Sequence, residues 1–296
     1  MIQYKNGNAE ISISSDGTRI IEFNGELRLD WPLNVDIRVT NKCAFGFNPN
    51  TRSAICSFCH ESARTDGSEC DYLKLQEILS ELPAGVELAI GGNAMTGQLV
   101  DFLKWAKLRG YICNITVNQG HLVRDLKLIK QGIEDGWIAG LGVSYRSMLK
   151  WNVPELITNY QNTVFHVIAG IDDIDDIMKL ATRGVKKILV LGEKDFGFNL
   201  GNVDLNSITH KKWLWKLPML FDAFDVVSFD NLGIEQTKPN RFMDQQSWDE
   251  FYQGEHSIYI NAVDQYFAPS SRSDQKIYFN ITTLKQYFIN NEQTGY

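Results

Sequence analysis

Short apolar runs recur along this chain with amphipathic stretches between them, and this alternation restricts the fold more than any other feature of the sequence. The runs are Val35–Val39, Val86–Ile90, Ile112–Val117, Ile138–Val143, Val164–Ile168, Lys187–Leu191 and Val226–Phe229. Near-continuous apolar strands that alternate with helices are typical of a parallel sheet covered on both faces. Six or more such units with right-handed crossovers predict an α/β fold, namely a full or partial (βα) barrel.

The stretches between the runs carry aliphatic side chains at helical spacing and stop at residues that end helices. The predicted helices are 71–82 before Pro83, 97–109 before Gly110, 121–131 before Gly132 and 172–182 before Gly184. Glycine readily accepts the left-handed conformation that commonly follows a helix, so three of these boundaries have a simple physical explanation.

The two ends of the chain depart from this alternation. Residues 10–24 alternate polar and apolar side chains around Asp16 and Gly17, which predicts a β-hairpin. After about residue 218 the alternation loosens and aromatic residues cluster. The predicted parts are an N-terminal β-hairpin extension over 1–30, a barrel core over 31–217, and a C-terminal extension over 218–296 that completes or covers the barrel.

Composition limits the function that the chain can have. Its 29 basic and 36 acidic residues give a net charge of −7, which argues against nucleic-acid binding through many phosphate contacts. No apolar run approaches the roughly 18–20 residues of a membrane-spanning helix, and the first residues lack the pattern of a secretory signal. Five cysteines do not fit a disulfide framework. We therefore expect a cytoplasmic protein with no membrane partner, in which cysteines bind metal, do chemistry or lie in the core.

Three of the cysteines are grouped near the end of the first predicted barrel strand. Cys43 follows that strand, twelve residues separate it from Cys56, and two residues separate Cys56 from Cys59. Active sites of such barrels lie at the C-terminal ends of the strands. Three thiolates can hold three irons of a cubane cluster and leave the fourth iron open to a small molecule.

With the strand order, these cysteines resemble the cluster motif of the radical S-adenosylmethionine (SAM) superfamily, over residues 31–195. The C-x12-C-x2-C spacing and the C-terminal part are similar to uncharacterised bacterial and phage members. The resemblance implies that Cys43, Cys56 and Cys59 ligate a 4Fe–4S cluster whose open iron binds SAM. It further implies reductive cleavage of SAM to a 5′-deoxyadenosyl radical, a small-molecule or peptide substrate, and an electron donor such as flavodoxin or ferredoxin.

The same resemblance implies SAM contacts at the ends of the strands that follow. The family usually carries Gly-Gly-Glu after its second strand, where this chain has asparagine in place of the acid. The later segment that contains Asn118 resembles a Thr-Asn-Gly element. At the end of the next strand, Ser144 is implied to offer a hydroxyl to the SAM ribose and Arg146 a cation to the SAM carboxylate. The residues implied to contact SAM are Gly91, Gly92, Asn93, Asn118, Ser144 and Arg146.

Two other interpretations of the cysteines stay open. Cys43, Cys56 and Cys59 with His60 have the residue types of a Cys3His zinc site, which predicts a zinc-binding barrel enzyme. A decayed cluster site, indicated by Asn93 and by the long first spacing, predicts a non-catalytic binding or regulatory module.

The remaining cysteines offer weak candidates for catalysis. Cys70 and Cys113 are either buried in the core or hydrogen-atom donors to a substrate radical, and no other catalytic residue is assigned. No cysteine follows Cys113, so we expect no auxiliary cluster in the C-terminal part.

Overall fold

The computed structural model describes residues 2–15, 17–91, 95–149, 153–249 and 256–294, and shows a mixed α/β protein. The strands are β1 Ile2–Asn6, β2 Ala9–Ile13, β3 Arg19–Phe23, β4 Asn34–Arg38, β5 Lys42–Phe47, β6 Glu87–Gly91, β7 Ile112–Asn118, β8 Gly140–Ser144, β9 Thr163–Ile168, β10 Lys187–Leu191, β11 Val226–Phe229, β12 Ser257–Asn261, β13 Tyr266–Ala268 and β14 Ile277–Tyr278. The helices are α1 Tyr72–Leu79, α2 Gly97–Leu108, α3 Gln119–Arg124, α4 Leu126–Glu134, α5 Glu155–Thr158, α6 Ile174–Ala181, α7 Ile208–Lys216, α8 Pro218–Ala223, α9 Asn231–Thr237, α10 Gln245–Asp249 and α11 Leu284–Thr294. Within these ranges, no helix has the length and apolar character needed to span a membrane.

Ten strands form one large sheet in which most neighbours run parallel. Their order across the sheet is β11-β10-β9-β8-β7-β6-β4-β12-β13-β14. Every pairing from β11 to β12 is parallel, whereas β13 and β14 are added in antiparallel orientation. The predicted parallel sheet is therefore confirmed. Among the described residues no pairing joins β11 to β14, so the sheet is open and a closed barrel is not seen.

The two faces of this sheet differ in burial. On β7, Cys113, Ile115 and Val117 are at most 2 % exposed, whereas Asn114 and Thr116 on the opposite face are only half-buried. Alternation along a strand places these two sets of side chains on opposite faces. The second face of β7 is therefore less fully covered than the first, and it carries polar side chains that solvent reaches.

The first three strands form a separate antiparallel sheet. Strands β2 and β3 are the predicted hairpin, with Ile13 opposite Arg19. Gly17 has a φ of +88°, which favours glycine in the turn, while Asp16 lies outside the described residues. Arg19 also connects this sheet to the large one through an ion pair of 2.6 Å with Glu87, at the start of β6.

The C-terminal part of the chain extends the large sheet on the side of β4. Strand β12 pairs with β4 in parallel orientation, and β13 pairs with the other edge of β12. Helix α11 covers this region, where the Tyr287 ring stacks on the Phe267 ring with centroids 5.2 Å apart. Both rings are at most 2 % exposed, so this part shares the core of the protein.

Three of the four predicted helices are confirmed, as α1, α2 and α6. Asp71 caps α1 by accepting the backbone N–H groups of Leu73 and Lys74. Gly110 and Gly184, which follow α2 and α6, have φ values of +80° and +84°. Both glycines therefore adopt the left-handed conformation that the sequence predicts for them.

The predicted helix 121–131 is wrong in its bounds. Helices α3 and α4 meet at Asp125, and α4 continues through Gly132 instead of ending before it. Gly132 is required for close packing, since a Cβ atom there would lie 2.6 Å from the Trp137 ring. The left-handed position after the helix is taken by Gly136, with a φ of +71°.

The cap of α1 gives a prediction about stability. Asp71→Ala removes the acceptor for two backbone N–H groups and should lower the free energy of unfolding by about 1 kcal/mol. Chemical denaturation followed by circular dichroism measures this change. Asp71→Ser keeps a capping oxygen and should lose much less stability, so an equal loss in both variants would contradict the assigned role.

Candidate functional site

The first cysteine lies in a short strand close to the end of β4. Strand β5 carries Cys43 and is held by bridges from Lys42 and Phe47 to Arg64. The residues after it fold back, so that the N–H of Cys56 donates to the Phe45 carbonyl at 3.1 Å. The twelve residues between the first two cysteines therefore form a loop that brings Cys56 back to the strand that carries Cys43.

The three cysteines share one region of the protein. The N–H of Cys59 donates to the carbonyl of Cys56 at 3.2 Å, and all three thiols are partly buried. Cys56 interacts electrostatically with both Cys43 and Cys59. In the part of the chain that the structure describes, no three His, Cys, Asp or Glu side chains form a group ready to hold a metal ion. The cysteines are thus near one another without forming a closed set of ligands.

Burial dominates the ionisation of these thiols. Desolvation raises the pKa of Cys43 and Cys59, and it raises the pKa of Cys56 to about 11. Hydrogen-bond donors oppose this effect at Cys43, whose Sγ accepts from the Phe45 N–H at 3.4 Å and from Asn118 Nδ2 at 3.8 Å. Metals bind thiolates, so metal binding at these cysteines is coupled to proton release.

His60 belongs to a charged network beside the cysteines. Its Nε2 lies 3.0 Å from the Glu61 carboxylate and 3.5 Å from the Lys194 ammonium. Glu61 also pairs with Arg38 at 2.8 Å. Burial opposes ionisation of Glu61, but His60 and Arg38 more than offset it and lower the pKa of Glu61 to about 2. Because Nε2 of His60 is engaged in this network, Nδ1 is the nitrogen that a Cys3His zinc site would use.

Arg146 reaches the cysteine region from the end of β8. Its guanidinium lies 3.3 Å from the Asp172 carboxylate and 5.2 Å from the centre of the Phe58 ring. Asp172 is 1 % exposed and also accepts the backbone N–H of Ile168. The positive charge of Arg146 partly opposes the rise that burial causes in the pKa of Cys56. The ion pair with Asp172 therefore fixes a cation beside Phe58 and Cys56.

The ends of β7 and β8 place Asn118 and Ser144 side by side in register. Asn118 Nδ2 donates to Cys43, while its Oδ1 caps α3 by accepting the His121 N–H at 2.9 Å. Ser144 is half-buried, and its other neighbour in register is His166. Among the described contacts, Asn118 bonds a cysteine and Ser144 does not.

Gly91 ends β6 with an exposed backbone. A Cβ atom there would meet only the Ile37 carbonyl oxygen, at the ordinary contact distance of 3.7 Å. Among the described residues, none therefore demands glycine at this position, and Gly91 itself is exposed. Gly92 and Asn93, which were predicted to contact SAM, lie outside the described residues.

The two remaining cysteines are buried in the core. Cys70 is 8 % exposed and Cys113 is 2 % exposed, and burial raises the pKa of each thiol to about 12. Cys113 shares the covered face of β7 with Ile115 and Val117, opposite to the face of Asn118. The structure therefore does not bring Cys113 to the polar face, and no described contact joins Cys70 to the other cysteines.

Sequence reasoning missed two charged residues of this region, Arg38 and Glu61. Arg38 is a charged residue at the C-terminal end of β4, and Glu61 comes two residues after Cys59. Those positions are the signal that could have identified them. The same network includes Ser271 from the C-terminal part, whose Oγ accepts a hydrogen bond of 3.1 Å from Lys194.

Comparisons with known proteins do not assign a family to the chain. No protein-family model matches it, and no curated protein does.

The burial of Cys56 gives a prediction about its reactivity. Iodoacetamide should modify Cys56 at pH 8 roughly a hundredfold more slowly in the folded protein without metal than in the urea-unfolded chain. The reason is that a pKa raised from 9.0 to about 11 leaves about a hundredth of the thiolate. Mass spectrometry of the alkylated peptides measures the rates.

The pH profile separates this effect from simple shielding. The rate for the folded protein should continue to rise above pH 10, whereas that for the unfolded chain should level off. Equal rates in the two states, or parallel profiles, would show that the thiol is not perturbed.

Proposed function

We propose that this chain is a radical SAM enzyme built on a partial (βα) barrel. The strand order supports this proposal, since β4 and β6 to β11 lie side by side in chain order and run parallel. Their C-terminal ends therefore meet at one edge of the sheet, where α/β proteins build their sites. The cysteine segment follows β4, the first of these strands.

The single observation that carries the proposal is the grouping of three cysteines from one short segment at this edge. One of the three sulfurs, Cys43 Sγ, accepts the backbone N–H of Phe45 at 3.4 Å. Such bonds to cysteine sulfur are one of the means by which proteins tune iron–sulfur clusters. In this proposal the three cysteines, drawn closer together than in the described arrangement, hold a 4Fe–4S cluster.

Side chains around the cysteines have the chemistry to hold SAM. Gly91 offers an exposed backbone, Ser144 a hydroxyl, and Arg146 a fixed cation that would attract the SAM carboxylate. Gly92 and Asn93 belong to the same proposed set. A bound cluster, once reduced by the electron donor, would supply the electron for reductive cleavage of SAM, and this cleavage would initiate abstraction of a hydrogen atom from the substrate.

The polar face of the sheet is the proposed substrate surface. Asp36 is exposed there, and Asn114 and Thr116 form no side-chain hydrogen bond among the described contacts. Burial, with Arg146 nearby, lowers the pKa of His166 to about 4, so this ring is neutral at pH 7. Such a lining fits a small polar molecule or a peptide. The net charge of −7 does not favour nucleic acid, and the proposed electron donor is a flavodoxin or ferredoxin.

A non-catalytic binding or regulatory module is a second candidate. The observation that favours it is the absence, within the described residues, of a group ready to hold metal. A zinc enzyme would use the same three cysteines with Nδ1 of His60, since Nε2 of this ring contacts Glu61.

Anaerobic reconstitution with iron and sulfide tests the proposal. The protein should become brown and bind about four irons and four sulfides per chain. Replacement of Cys43, Cys56 and Cys59 by alanine should abolish both. Reduced, reconstituted protein should also cleave SAM to 5′-deoxyadenosine and methionine, as measured by liquid chromatography.

The matched control is a variant with alanine at Cys70 and Cys113, which should retain the cluster if it folds. Stoichiometric zinc without sulfide in anaerobic protein would favour the zinc enzyme instead. A protein that binds neither metal nor SAM would favour the non-catalytic module.

A further inference from the structure

The turn in which β7 passes into α3, residues 118–121, packs directly against the strand that carries Cys43. The Phe45 ring lies 6.1 Å from the His121 ring, centroid to centroid. A Cβ atom at Gly120 would lie 2.5 Å from the tip of the Phe45 ring, so glycine is required for this close approach. Gln119 is 2 % exposed, and its side-chain oxygen accepts the backbone N–H of Arg146 at 2.8 Å. The turn is thereby held between the cysteine strand and the end of β8.

Asn118 uses both ends of its amide in this turn. Its Nδ2 donates one hydrogen to Cys43 Sγ at 3.8 Å and lies 3.3 Å from His121 Nδ1, which accepts the other. Its Oδ1 accepts the backbone N–H of His121 at 2.9 Å. A primary amide has two donor hydrogens and an acceptor oxygen, so these three contacts use each part once.

These contacts also determine which way the amide faces. If the amide were rotated by half a turn, its NH2 group would face the backbone N–H of His121 and its oxygen would face Cys43. Two donors would then oppose each other, and an acceptor would face a thiolate. His121 is 3 % exposed, so burial holds in place the imidazole ring that accepts the second hydrogen of the amide. The donor end of Asn118 is therefore directed at the sulfur of Cys43.

We propose that Asn118 is a positioning residue that acts on the cluster through Cys43, and not a residue that contacts SAM. The inference rests on the proposed function, because it requires a cluster on Cys43. A hydrogen bond donated to a cluster sulfur stabilises the reduced state, which carries more negative charge, and so raises the reduction potential. Asn118 thus makes the cluster easier to reduce.

The test compares reduction potentials of reconstituted variants by spectroscopic redox titration. Asn118→Ser keeps an oxygen that caps α3, but its hydroxyl is too close to the backbone to replace the amide donor at Cys43. Its midpoint potential should shift to a more negative value, with iron content and SAM affinity unchanged. Asn118→Asp also keeps the cap, and its added negative charge should shift the potential further in the same direction.

Asn206→Ser is the matched control, because Asn206 is an exposed asparagine outside the site whose side chain has no described contact with a cysteine. Its potential should equal that of the parent protein. If Asn118→Ser has the parent potential but binds SAM more weakly by calorimetry, Asn118 contacts SAM and the inference is overturned. If the parent protein assembles no cluster, the proposed function itself has failed, which is a different result.

Discussion

Strand β4 is hydrogen-bonded on both sides, to β6 and to β12, and the candidate site depends on this central placement. The carbonyl of Arg38, at its end, accepts the N–H of Ala262 at 3.0 Å, so the C-terminal part is attached to the same point. The next residue, Val39, accepts the N–H of Cys70 at 2.8 Å. The segment that carries Cys43, Cys56 and Cys59 therefore leaves β4 and returns to its end, so both ends of the cysteine segment are attached to β4.

Charge balance around the thiols links the fold to its proposed chemistry. Two of the nearby cations already have carboxylate partners, since Arg38 pairs with Glu61 and Arg146 pairs with the buried Asp172. The charge of each of these two cations is already balanced by a carboxylate, and burial disfavours an uncompensated negative charge. Ionising all three cysteines in this place therefore requires an added positive charge. A bound metal or cluster would supply such a charge, whereas without one the raised pKa values keep the three thiols protonated.

The sequence predicted the strands of the parallel sheet well, because a strand with a buried face leaves an apolar run such as Lys187–Leu191, whose bounds the structure reproduces. It did not predict that β12 pairs with β4, since that contact joins parts of the chain more than two hundred residues apart. In the site, the spacing of the cysteines was visible, but the bond from Asn118 to Cys43 spans 75 residues and depends on how the turn packs. Local patterns therefore predicted elements, whereas contacts between distant elements required the structure.

Electron paramagnetic resonance of the reduced, reconstituted protein, recorded with and without SAM, tests the central claim most directly. If Cys43, Cys56 and Cys59 leave one iron of the cluster open, SAM should bind that iron and change the spectrum. SAM carrying 17O in its carboxylate should broaden the signal further. A reduced cluster whose spectrum is the same with and without SAM would contradict this account, as would a protein that assembles no cluster.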